Sequence, residues 1–83
     1  MDLKFLRDTD KREVDFVVLK ESKPLFAVEC KAGEKKINPA LFYFMERTQI
    51  PKFYQVHTGN KDYKNKGVRV LPVTEFIKEI SLP

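Results

Sequence analysis

A mixed β-sheet carrying two short helices, an α+β (α/β) fold in the order β-β-β-α-β-β-α, is the architecture this sequence predicts. Two β-branched and aromatic runs, at residues 12–19 (REVDFVVL) and 25–31 (LFAVECK), flank the turn signal Lys20-Glu21-Ser22-Lys23-Pro24 and read as a hairpin. Asn38-Pro39 joins a cap residue to a proline suited to the first helical position, so a helix starts in mid-chain. Two more strand-like runs and an amphipathic tail follow, and 83 residues leave room for a single domain, 1–83, with one modest core. A helix between the third and fourth strands serves as the crossover that a parallel pair requires, which makes the sheet mixed.

The first strand is residues 3–7, with no helix before it, and it ends at the polar turn Asp8-Thr9-Asp10-Lys11. In the second strand Val14, Phe16 and Val18 alternate onto one face and Val17 and Leu19 onto the other, so it belongs inside the sheet with both faces covered. Ala32-Gly33 breaks the third strand. Ile37 and Phe42 span the helix start as a hydrophobic staple, and the helix, residues 39–48, turns Leu41, Phe44 and Met45 inward. Residues 52–57 and 68–73 are the remaining strands, and Thr74 caps a last helix with Phe76, Ile77 and Ile80 as its apolar stripe. Two short helices barely cover two apolar sheet faces, which points to a missing helix, a larger parent chain or a homodimer.

Composition excludes several classes. With 42% hydrophobic and 34% charged residues the chain is too apolar for a disordered tail, and it has no tract long enough to span a bilayer. The N-terminus mixes charge signs and lacks an apolar h-region, so neither a secretory signal nor a membrane is expected and the cytoplasm is the default address. A lone cysteine, Cys30, cannot form an internal disulfide, and a lone His57 leaves no zinc-binding pattern. The net charge of +4 is concentrated towards the C-terminus. Lys61, Lys64, Lys66 and Arg69, with Tyr63 interleaved, are candidate contacts to nucleic-acid phosphates; the alternative is a solvated basic loop.

One constellation carries chemistry. Glu29 and Lys31 are two apart on a strand and leave the same face. A hairpin turn centred on Ser22 sets Asp15 opposite Glu29 and Glu13 opposite Lys31, gathering all four at the end of the hairpin away from the turn. Opposed carboxylates repel, the more so beside Phe16 and Val28, and a divalent cation would compensate them. Magnesium or manganese, held by one or two carboxylates, suits that place, and an adjacent ammonium would orient or help deprotonate water. The competing reading is a solvated sheet face on which Glu13 pairs with Lys31 and Asp15 with Arg12 or Lys11.

REVDFVV, a turn and then FAVECKAG resemble the metal-site half of the PD-(D/E)XK superfamily, the restriction-endonuclease-like nucleases. More closely, residues 5–80 are similar to the C-terminal domain of uncharacterised function that follows the ATPase module in a family of microbial AAA-type ATPases. The shared signals are Arg12 to Phe16, Glu29 to Lys31, Ala32-Gly33 and Pro51-Lys52, in that order. The resemblance implies a restriction-endonuclease-like sheet in which Asp15, Glu29 and the backbone carbonyl of Cys30 are metal ligands, Lys31 is the catalytic lysine, and Glu13 is either an auxiliary acid or a salt-bridge partner of Lys31. The thiol of Cys30 should point to the other face as a small buried hydrophobe. Many active relatives carry a further acid on a helix before the first strand; this chain has none, so it is either a fragment of a longer ATPase or a minimal form that needs a dimer.

Two functions follow. One is a metal-dependent nuclease domain hydrolysing DNA phosphodiester bonds, with Lys61, Lys64, Lys66 and Arg69 on the nucleic-acid backbone. The other is a non-catalytic module of an AAA-type ATPase that docks nucleic acid or a protein partner through the same sheet.

Overall fold

The computed structural model describes residues 2–7 and 13–81, so the 8–11 turn, Arg12 and the side chain of Glu13 lie outside the described residues. Strands β1 (Asp2–Arg7), β2 (Glu13–Lys20) and β3 (Lys23–Lys31) precede helix α1 (Pro39–Arg47); β4 (Phe53–His57), β5 (Tyr63–Asn65) and β6 (Val68–Pro72) then lead into helix α2 (Val73–Ser81). They form one sheet in the order β1-β2-β3-β4-β6-β5. The pairs β1/β2, β2/β3 and β5/β6 are antiparallel, while β3/β4 and β4/β6 are parallel. The mixed α+β architecture is thus the expected one with a strand added. β5 was hidden in what reads as a basic loop, because its three residues are all exposed and show no apolar alternation. The tight reversal through Lys66 and Gly67, with φ of +50° and +93°, makes it the edge of a hairpin.

The β2/β3 reversal is a two-residue turn, Glu21-Ser22, with φ of +52° and +67°, and it pairs Lys20 with Lys23 and Leu19 with Pro24. That register alone would put Asp15 out of step with Glu29. An irregularity after Leu19 inserts Leu25, and from there Val18 faces Phe26, Val17 faces Ala27 and Phe16 faces Val28. The expected register is therefore reached through a bulge and not through a turn centred on Ser22.

A second irregularity sits in β2 itself: Lys4 pairs with Val17 but Leu6 pairs with Val14, so three steps of β2 oppose two of β1. The extra residue reverses the alternation. Val14 consequently joins Val17 in the α1-side core, correcting the expectation that Val14 shares a face with Phe16, which is exposed.

Apolar side chains pack on both faces of the sheet. On one, Ala40, Leu41 and Phe44 of α1 pack against Val14, Val17, Ala27, Phe53, Val68 and Val70. Asn38 caps this helix, its side chain accepting from Ala40 N at 3.0 Å, and Ile37 and Phe42 both pack on the core as the staple spacing requires. Met45 is only half-buried. On the other face Val28, Tyr54, Val56 and Leu71 meet Phe26 and Phe76. Phe26, Tyr54 and Phe76 pack edge to face, with centroids 5.1 to 6.0 Å apart. α2 begins at Val73, so Thr74 lies inside the helix and does not cap it. Of its predicted stripe only Phe76 packs on the core, against Phe26 of β3 and Tyr54 of β4, while Ile77 and Ile80 are exposed.

Candidate functional site

Beyond the Phe16–Val28 pair, side chains replace the backbone ladder between β2 and β3. Asp15 N donates to Glu29 Oε1 at 3.2 Å, and Cys30 N donates to Asp15 Oδ2 at 2.9 Å. Each carboxylate thus takes an N–H from the strand that carries the other, and the two acids are stitched across the gap where the strands part. The structure brings Asp15, Glu29 and Lys31 together.

Glu29 is 6% exposed, and a carboxylate so buried needs compensation. Three donors supply it: Asp15 N on Oε1, and on Oε2 both Asn38 Nδ2 at 2.9 Å and Lys31 Nζ at 3.1 Å. The positive end of α1, which starts beside Asn38, adds to the same field. Lys31 therefore pairs with Glu29 on its own strand. The Asp15 carboxylate accepts from the backbone of β3 at Cys30 N, and its expected partners Arg12 and Lys11 lie outside the described residues.

Cys30 departs from expectation. Its side chain is exposed, because the α2 face of β3 is open at this end of the sheet. Partial burial, followed by the charges of Asp15 and Glu29, raises the thiol pKa above its ordinary value.

The donor set suits a hard cation in kind. Asp15 Oδ1 and the remaining lone pair of Glu29 Oε1 are oxygens, and magnesium commonly uses one or two carboxylates and keeps its waters. Among the described residues no group of three or more His, Cys, Asp or Glu side chains converges.

Three residues with structural weight at this end of the sheet, Gln55, His57 and Glu34, have no role in the expectations drawn from the sequence. Gln55, fully buried, sits in parallel register with Glu29; its Oε1 accepts from Asn38 N at 2.8 Å, and its Nε2 donates to the carbonyls of Lys36 and Lys35 at 3.1 and 3.4 Å. His57, 2% exposed, lies in register with Lys31. Its Nδ1 accepts from Gly59 N at 2.9 Å, so Nε2 carries the proton and donates to Lys61 O at 2.7 Å. Glu34 accepts from Asn60 N at 2.5 Å and Lys61 N at 3.1 Å, and these backbone bonds, Asn60 first, pull its pKa below the usual carboxylate value. A polar residue inside an apolar strand, as in FYQVH, is the signal that could have exposed Gln55.

The four candidate phosphate contacts are dispersed. Lys61 follows the C-terminal end of β4, the end of the sheet that carries Lys31. Together with Glu34, Lys35, Lys36, His57, Tyr63 and Val70 it lines a cleft of about 200 Å³ on the α1 face. Lys64 pairs with Arg69, which pairs with Tyr54 of the α2-side core, so both belong to the other face. Arg69 is ion-paired with Asp62 and, at 3.5 Å, with Glu79. Lys66 lies in the turn at the opposite end of the sheet.

No helix among the described residues is long and apolar enough to cross a membrane. In comparison with known proteins, a family model described as a domain of unknown function (DUF4143) matches residues 1–76. No curated protein and no solved structure matches.

Proposed function

We propose that this chain, which belongs to the DUF4143 family of domains, is a metal-dependent nuclease domain acting on DNA phosphodiester bonds. The observation that carries the reading is the Asp15–Glu29–Lys31 cluster: two carboxylates linked across parting strands with an ammonium 3.1 Å from one of them. Asp15 and Glu29, with the Cys30 carbonyl, would hold magnesium or manganese; a bound divalent cation supplies Lewis acidity at a phosphoryl oxygen and an acidified water. Lys31 is one-third exposed and reaches the surface from a buried carboxylate, so its Nζ can orient a water or meet charge developing on the phosphate. Glu13 is kept as an auxiliary acid. Lys61, with Lys35 and Lys36 across the cleft, supports a backbone contact on the face that carries Glu29; Lys64, Lys66 and Arg69 would serve as more distant attachment. The family's place at the C-terminus of AAA-type ATPases, the cytoplasm and a homodimer or parent ATPase module as partner belong to the same proposal.

The test is incubation of the chain with single- and double-stranded DNA over a magnesium or manganese titration. Metal-dependent cleavage is expected, with Lys31→Ala and Asp15→Asn each slowing it by about 10²–10⁴. Failure to cleave either substrate, with no metal uptake at millimolar concentration, overturns the reading.

A second reading has its own support: Glu29 already has three donors, as a purely structural buried carboxylate would. A non-catalytic module that docks nucleic acid or a protein partner predicts that Asp15→Asn leaves function and partner binding unchanged.

A further inference from the structure

We infer that Asn38 and Gln55 are positioning residues: together they aim the Glu29 carboxylate at Asp15, and Asn38 does this with the same side chain that starts α1. The chain of contacts is continuous. Gln55 Nε2 holds the carbonyls of Lys35 and Lys36, Gln55 Oε1 holds Asn38 N, Asn38 Oδ1 accepts from Ala40 N, and Asn38 Nδ2 donates to Glu29 Oε2. Glu29 Oε1 is then the oxygen left to accept from Asp15 N.

The residue types follow from this double duty. Ser, Thr, Asp and Asn all cap a helix, but of these only Asn places an acceptor and an N–H donor on one planar group. Asp at this position would cap equally well and set a carboxylate against Glu29. Gln55 likewise uses both ends of its amide in a fully buried place; Glu there would lose both donated bonds and add a buried charge. A helix cap and a core amide thus fix the orientation of a carboxylate on a neighbouring strand, as outer partners do for the ligands of metal sites.

The inference requires that Glu29 and Asp15 act as a pair, and its test separates that from the nuclease reading. Asn38→Ser keeps the cap oxygen and removes the donor to Glu29. In the metal-free chain, hydrogen exchange of the Asp15 amide should accelerate at least about tenfold while the Ala40 amide stays protected and the helix signal is unchanged. Asn38→Ala should release both amides. Manganese affinity, read by titration, should fall about 10–100-fold in Asn38→Ser. Unchanged Asp15 exchange in Asn38→Ser, or Ala40 and Asp15 amides that are released only together, overturns the positioning role. A wild-type chain that neither binds metal nor cuts DNA but shows the expected exchange pattern sinks the nuclease proposal and leaves the positioning intact.

Discussion

At the scale of single residues, the chain places polar side chains inside its sheet and satisfies each of them. Among the described residues no buried side-chain nitrogen or oxygen lacks a partner, which is what a small core needs when it admits Glu29, Gln55 and His57. His57 shows what each such residue contributes. It ties the carbonyl of Lys61 and the amide of Gly59 to the end of β4, so His57→Leu leaves two backbone groups unmatched and should cost about 1–3 kcal/mol for each that remains buried. Urea denaturation of the variant checks this; a loss below about 0.5 kcal/mol would mean that water replaces both bonds. Asp15 and Glu29 were legible in the sequence as acids on adjoining strands of one hairpin, although the register that joins them is reached through a bulge. The side chains behind Glu29 were not, since its donor Asn38 comes from a helix start, and Gln55, which accepts from Asn38 N, from a strand that pairs only through the crossover.

At the scale of elements, the segments joining β3 to α1 and β4 to β5 are locked by Glu34. Its carboxylate receives the Asn60 and Lys61 amides, and Gly33 N adds a bond to Thr58 Oγ1 at 2.7 Å. Because these bonds depress the pKa of Glu34, the stability they supply is fully present above the ordinary glutamate value of about 4.3 and is lost as the pH falls through the lower folded value. Acid unfolding should therefore be less steep in Glu34→Gln, measured as the midpoint of denaturant unfolding at pH 7 and at pH 3. Identical pH dependence in the variant and the parent would remove Glu34 from the account. A methyl group at Gly59 would collide with Glu34 Cγ, so Gly59→Ala should displace the carboxylate and reproduce the Glu34→Gln pH profile. The helices and long strands were readable from apolar spacing. The short β5 was not, because three exposed polar residues are a strand only by virtue of the neighbour they pair with.

At the scale of the molecule, a small domain divides its apolar residues between two faces of one sheet. Stability of the order of 0.05–0.15 kcal/mol per residue amounts to about 4–12 kcal/mol, so neither side is dispensable. Leu41 on the inner face of α1 and Leu71 of β6 on the α2 side are both fully buried, and truncating either to alanine should cost about 2–5 kcal/mol. Since the sheet joins both layers, unfolding followed by the NMR signals of Phe44 on the α1 side and Tyr54 on the α2 side should remain a single transition in each variant. Separate transitions would show two independent layers. One short helix cannot roof six strands, and Phe16 on the same side as Val28 is left exposed.

Alternation, turn residues and a capped helix start, all local properties of the chain, were enough to determine a mixed sheet, a hairpin and the placing of Asp15, Glu29 and Lys31 near the same end of that hairpin. Only the tertiary structure decided where Val14 points, that Cys30 is exposed on its expected face, that Lys31 pairs with Glu29, and which basic residues share the face of the acids. The physical reason is that a bulge reverses alternation without changing the sequence pattern around it. Parallel pairing, moreover, joins residues far apart in the chain, so a side chain such as Gln55 acquires its partners only once β4 has docked beside β3.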